Sequence, residues 1–351
     1  MVLEGGAGEV WAVAFHPDRK HFYDGTTNGI RRWRVPDGQE LGKQTGMDMY
    51  AMSVSKDQKW VACGTSIGAS VWDAELRKKV TEVEGGVYVH AVDVAPDCTR
   101  FATGTYKGKV AIWSITTGEK LLGPLKQGGG AMRGVKFSPD GGRLATACYG
   151  DSTIRIFDAH NGDQLISIEN PIHGDSFLPI VWSIRGQQLF AVSKTQQIKS
   201  FDSFTGSPLA EWQIHENSYG PMSIALSTNG DFIGSSAGRF VSFWDTSTHT
   251  QLGIIEETHE ILSIALSPDG CRLAAGFTKS GSPIIWDLRL GGILPDSYLP
   301  GNVSTPFLIE VTFIHESLFL YTHKHIFPDC KSRCGAASAC VQNGELIPID
   351  V

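Results

Sequence analysis

A chain of 351 residues with 30 basic and 37 acidic side chains, a formal charge of −7, carries no global field for nucleic acid or an anionic membrane. Hydrophobic residues make up 41% and charged residues 19%, the balance of a globular protein that lives in water. Forty glycines and nine tryptophans imply many turns between aromatic-rich strands, so the expected class is all-β.

The opening stretch "MVLEGGAGEVWAV" has neither a basic segment nor a long apolar run, so it does not read as a signal peptide. Four scattered cysteines, Cys63, Cys98, Cys148 and Cys271, read as reduced thiols. The expected location is therefore intracellular, cytoplasmic or nuclear.

Seven segments then follow one another with the same plan. "VWAVAFHPD", "MYAMSVSKD", "VHAVDVAPD", "MRGVKFSPD", "LPIVWSIRG", "MSIALSTNG" and "ILSIALSPD" each alternate and then meet a turn. Pro, Asp, Asn and Gly at these turns pre-set φ or tolerate left-handed backbone. A second short run follows, such as "RLATAC", and then a third that closes on an aromatic residue. Those aromatics are Trp33, Trp72, Trp113, Phe157, Phe201, Trp244 and Trp286, at intervals of 39, 41, 44, 44, 43 and 42 residues. A fourth, weaker run such as "KLLGPL" leads into the next copy. A period near 42, held over seven copies of four strands, is the sequence signature of a repeat architecture.

With its Trp-Asp pairs at 72–73, 244–245 and 286–287, its relaxed Phe-Asp pairs at 157–158 and 201–202, and its Ser-Pro-Asp-Gly turns at 138–141 and 267–270, the chain resembles the WD40-repeat family, with a phrasing like divergent fungal members. The resemblance covers residues 1 to about 290. It implies a seven-bladed β-propeller of four-stranded antiparallel blades, because one such sheet cannot bury both faces alone and seven arranged radially can. "VLEGG" at 2–6 is similar to the "VEGG" that ends a fourth strand at 83–86, so residues 2–4 are expected to complete the last blade.

The resemblance also implies, in many blades, a buried network of a His, a Ser or Thr, an Asp and the Trp. The Asp position, six residues before each aromatic, reads Thr27, Ser66, Lys107, Asp151, Thr195, Gly238 and Ser280; the His is recognisable only at His173 and, loosely, at His215 and His259. No copy has the whole set, so packing is expected to carry blade stability.

Chemical motifs are few. "GTSIG" (64–68) and "GSSAG" (234–238) match a nucleophile-elbow pattern, but a strand rather than a helix follows each, so tight-turn serines are the better reading. No catalytic residue, cofactor or metal site is expected. His323, His325, Cys330, Cys334 and Cys340 are zinc-compatible types, but their spacing lacks two short regular pairs. Residues 291–351 are expected to form a C-terminal extension of low order, a hairpin over "FLIEVTFI" and "LFLYTH" followed by irregular chain.

One ring of positions stands out. Alignment of the first strands makes Trp11, Tyr50, His90, Arg133, Leu178, Met222 and Leu262 equivalent, each near the start of its strand and the central opening. Trp, Tyr and Arg are enriched in binding hot spots. Trp11, Tyr50, His90 and Arg133 are therefore the expected partner-binding residues on the top face. The functional expectation is a non-catalytic scaffold for a protein or peptide. A propeller-borne enzyme and a reader of basic peptide tails, such as histone tails, are the alternatives. The acidic balance argues against nucleic acid, and the charged interruptions at Glu310, His315, Glu316 and Lys324 argue against a membrane span.

Overall fold

The computed structural model describes residues 1–3, 8–84, 86–125, 129–150, 153–169, 179–193, 195–214, 220–278, 282–290 and 292–299, and the backbone of four further strands between 308 and 348. Seven antiparallel sheets succeed one another along residues 2–300, six of them paired in chain order from first strand to fourth and the last from first to third. The seven-bladed propeller is thus the fold. The first strands, Val10–Phe15, Met49–Val54, Val89–Val94, Met132–Phe137, Ile180–Trp182, Met222–Leu226 and Ile261–Leu266, each lie against the first strand of the next blade, and the last lies against the first. They form the innermost ring.

The last blade has three strands of its own, ending at Ile284–Asp287. The N-terminus supplies the fourth: Val2 bridges Ile284, the Leu3 amide donates to the Pro283 carbonyl at 3.0 Å, and Leu3 is fully buried. Glu4 lies outside the described residues.

The core lies between blades. One cluster joins Ile112 and Leu125 of blade three to Val135, Leu144 and Phe157 of blade four. In blades two and seven, close approach sets the residue type at the fifth position of the second strand. A Cβ on Gly64 would stand 2.5 Å from the Val89 carbonyl oxygen, and one on Gly276 would stand 2.5 Å from that of Val10. Only glycine lets the neighbouring inner strand come so near.

Of the blade aromatics, Trp33, Trp72, Phe157, Phe201 and Trp244 are buried, and Trp113 and Trp286 are half-buried. Three of the indoles are tied to the fourth residue of the second strand. Trp113 Nε1 donates to Thr103 Oγ1 at 2.9 Å, Trp244 Nε1 to Ser235 Oγ at 3.1 Å, and Trp33 Nε1 to Asp24 Oδ1 at 2.6 Å. Cys63 holds that place in blade two, and Trp72 Nε1 turns to Ser70 Oγ at 3.0 Å. So the Ser/Thr–Trp half of the family's network is present in blades three and six, where Lys107 and Gly238 stand at the Asp position. Blade one goes further: Arg31 Nε donates to both Asp24 oxygens at 3.0 and 3.1 Å, and all three polar side chains are buried.

The compact propeller unit runs to Pro300, ten residues beyond the last expected strand. Leu294 is buried among Phe232, Ile255 and Leu288, and the Tyr298 hydroxyl donates to the Asp245 carboxylate. Residues 301–351 form a second unit. In it, Leu308–Ile314 pairs with Ser317–Thr322 on one side and Ala339–Gln342 on the other, and Ala339–Gln342 pairs with Glu345–Pro348. His323, His325, Cys330 and Cys334 lie outside the described residues.

Candidate partner-binding site

Trp11, Tyr50, His90 and Arg133 share one backbone device. In blade one, Val10 pairs with Thr26 and Ala12 with Gly25, so Trp11 is the extra residue of a β-bulge. The same register shift isolates Tyr50 between Met49 and Ala51, His90 between Val89 and Ala91, and Arg133 between Met132 and Gly134. A bulge re-aims the side chain it carries away from the regular alternation. The buried neighbours Val10, Met49, Val89 and Met132 keep the core face, and the bulged residues Trp11, Tyr50, His90 and Arg133 are only half-buried.

The expected ring holds over blades one to four and changes beyond them. Leu262 is also a bulge residue but is buried. Met222 is not equivalent: it pairs with Ala237 and Ser223 pairs with Ser236 without a shift. It matches Met49 and its counterparts, one position earlier, because blade six lacks the bulge. Leu178 lies outside the described residues.

The four bulge residues meet in order around the mouth. Trp11 and Tyr50 pack edge-on at 5.7 Å between ring centroids, Tyr50 and His90 lie 4.9 Å apart, and Arg133 Nη1 is 3.2 Å from His90 Nδ1. Burial, and next the Arg133 guanidinium, push the His90 pKa down to about 4, so the imidazole is neutral at physiological pH. Its Nδ1 then accepts from Arg133.

Two further tyrosines, not foreseen from the first-strand alignment, enlarge the cluster. Tyr88 precedes the first strand of blade three and Tyr106 sits in the turn after its second strand; the Tyr106 amide donates to the Tyr88 carbonyl at 2.8 Å. Tyr88 packs on Tyr50 at 5.7 Å, and Tyr106 on His90 at 5.5 Å. They are 47% and 55% exposed. The corresponding turns of blades two and four expose Ile67 and Tyr149. The signal was present as isolated aromatics in "GGVYVH" and "GTYKGK", where a turn has no core to fill.

The two elbow-like serines do different work. Ser66 lies in a strand-to-strand turn, while Ser236 is buried within a strand and its Oγ accepts the Ser223 amide at 3.0 Å.

Comparison with known proteins agrees with this architecture. Residues 120–158 and 250–287 match the WD40 model, described as WD domain, G-beta repeat. The chain is a seven-bladed propeller carrying WD40 repeats. The β-propeller domain of Myceliophteria thermophila Cps50 (Swd1) superposes with a TM-score of 0.71, covering 82% of this chain and 98% of that one at 16% identity, a likeness of fold. Among curated proteins, Topless-related protein 4 of Arabidopsis thaliana is 26% identical over 62% of this chain, and WD repeat-containing protein 1 of Gallus gallus is 28% identical over 63%. The chain spans only 22% and 38% of those two relatives' lengths. No helix among the described residues is long and apolar enough to cross a membrane.

Proposed function

We propose that the protein is a non-catalytic interaction scaffold that binds a protein or peptide segment at the propeller mouth over blades one to four. The carrying observation is the continuous run Trp11–Tyr50–His90–Arg133 with Tyr88 and Tyr106 beside it. Adjacent Trp, Tyr and Arg side chains, partly exposed and braced by one another, are the composition of a hot spot. The rings are rigid and already in contact, so binding orders little side chain.

The same geometry weighs against a basic tail as the segment in the mouth. The guanidinium that disfavours a charged His90 also disfavours a ligand ammonium placed there. The favoured occupant is an apolar or aromatic segment without clustered Lys or Arg. The scattered spacing of Cys63, Cys98, Cys148 and Cys271 supports the reading that the protein works in a reducing compartment.

The test is affinity capture from the source cells, followed by a binding constant for the purified partner. Tyr50→Ala, Tyr106→Ala and Arg133→Glu are compared with Phe204→Ser, an exposed change in the blade-five turn after the third strand, on the opposite face. Weaker binding by the first three alone supports the mouth. Loss with Phe204→Ser alone places the partner on the other face and overturns the reading.

A further inference from the structure

We propose that His16, Asp18 and His21 form a binding site for a divalent transition-metal ion, zinc by ligand type, on the face opposite the aromatic mouth. The site lies in "HPDRKH", the turn joining the first and second strands of blade one.

The other blades show what this turn ordinarily contains. In blades two, four, five, six and seven the place of His16 is taken by Ser55, Ser138, Ser183, Ser227 and Ser267. The hydroxyl of each accepts the backbone N–H of the residue five positions on. That later residue is Trp60, Arg143, Gln188, Phe232 or Arg272. Blade three has Ala95 and Arg100 in the two places. Blade one alone puts an imidazole at both, with the turn carboxylate between them. Both imidazoles bond within the turn, His16 Nδ1 to the Asp18 amide and His21 Nδ1 to Asp18 Oδ2, but six other copies close the same turn without an imidazole.

The geometry is that of a ligand set. One donor atom from each of the three residues lies within 4.8 Å of the other two. His16 Nδ1 is 3.0 Å from Asp18 Oδ1, and His21 Nδ1 is 2.5 Å from Asp18 Oδ2. Donors bonded to one zinc ion in a tetrahedron at about 2.0–2.2 Å stand roughly 3.4 Å apart, so these contacts would open slightly to admit the ion. His16 Nδ1 accepts the Asp18 amide at 3.2 Å, a bond that a bound ion would replace, while its Nε2 donates to the Gln58 carbonyl of blade two at 3.3 Å. A metal-bound histidine typically fixes its other nitrogen in this way. Side-chain exposure is 6% for His16 but 20% and 24% for His21 and Asp18, so an ion can enter and keep water in its remaining positions. Two imidazoles and one carboxylate suit zinc better than the all-oxygen preference of magnesium or calcium.

Zinc titration of the full chain by calorimetry tests the site, with His21→Arg as the diagnostic variant. That change installs the residue blades three, four and seven carry, and should leave the metal-free melting temperature within about 2 °C. His21→Gln serves as a second, smaller variant. The expected result is one more equivalent of Zn²⁺ bound by the natural chain than by either variant, or at least a tenfold weakening. Zn²⁺, but not Mg²⁺, should raise the natural chain's melting temperature by more than it raises the variants'. Cobalt(II) should give a nitrogen/oxygen-type spectrum whose intensity falls with His21. Equal stoichiometry and affinity in all three proteins, or a cobalt spectrum showing only thiolate ligands, would overturn the proposal.

Discussion

Aromatic side chains serve two regions of this propeller under opposite rules. Inside the blades, Trp33, Trp72 and Trp244 are buried, and each indole N–H is bound to Asp24, Ser70 or Ser235. At the mouth, Tyr50, Tyr88 and Tyr106 pack on one another and on His90 while Tyr88 and Tyr106 stand half in solvent. The strand ladder separates the two uses. A residue in register with its partner strand faces core or neighbour blade, and a residue on a bulge leaves that alternation. The lesson is that backbone register decides whether a ring in a first strand stays in the regular alternation or leaves it, as Trp11 and Tyr50 do, while buried Leu262 shows that a bulge alone does not expose a side chain.

Substitutions should divide along that line. The largest loss is expected at the interior ion pair: Arg31→Met leaves Asp24 buried without its cation and should cost about 3–5 kcal/mol in denaturant unfolding. Trp33→Ala should cost a similar amount, through cavity and lost bond together. Truncation probes the outer edge of the same interior. A chain ending at Leu290 loses buried Leu294 and the Tyr298–Asp245 bond, about 2–4 kcal/mol, whereas one ending at Pro300 should melt close to the full chain. Equal melting of the two would show that residues 291–299 add nothing.

Gly276→Val forces a side chain against Val10 where blades seven and one meet, and should cost about 1–3 kcal/mol. At the mouth the expectation reverses. Tyr106→Ala and Arg133→Glu should change stability by under about 0.5 kcal/mol while weakening the partner about tenfold or more. A stability loss above 2 kcal/mol at either position would mean that the mouth is part of the core. Thr195→Ala, in an exposed turn bonded to Ser193 and Gln197, should change stability by under about 1 kcal/mol.

His90 gives the finest test of the comparison, by NMR titration. Its folded pKa of about 4 lies below the ordinary value of 6.5. As pH falls from 6.5 toward 4, the unfolded chain takes up a proton that the folded chain refuses, so stability declines across that window and levels off below it. Arg133→Ala should raise the pKa, but not fully to 6.5, because burial is the larger cause. A histidine that titrates near 6.5 in the folded protein would show a solvated mouth.

Much of this was legible before any coordinates. Period, copy number and the aromatic-Asp pairs carry the seven blades, since each copy repeats one alternation and one set of turn residues. The adjacency of Trp11, Tyr50, His90 and Arg133 followed from alignment alone. The bulges did not, because an inserted residue leaves no mark in a pattern already broken by a turn; Met222 was misaligned for that reason. Tyr88 and Tyr106 escaped because loop residues belong to no periodicity. The Asp24–Arg31 pair escaped because two opposite charges in a strand read as solvent-facing until cross-strand pairing places them together. Leu294 lies beyond the last repeat, where nothing in the chain marks it as interior.

The bridge between Val2 and Ile284 has a consequence for how the protein is made. The two residues are 282 positions apart, so at about 5–20 residues per second Val2 is synthesised roughly 15–60 s before its partner. During that interval the nascent chain is an open arc. The inner flank of blade one, including the carbonyl of Val10 that will later touch Gly276, faces water or a chaperone. The Val2–Ile284 pairing spans a large sequence separation, the kind of contact whose loop entropy slows folding most. A ring of this kind is assembled in order but secured all at once.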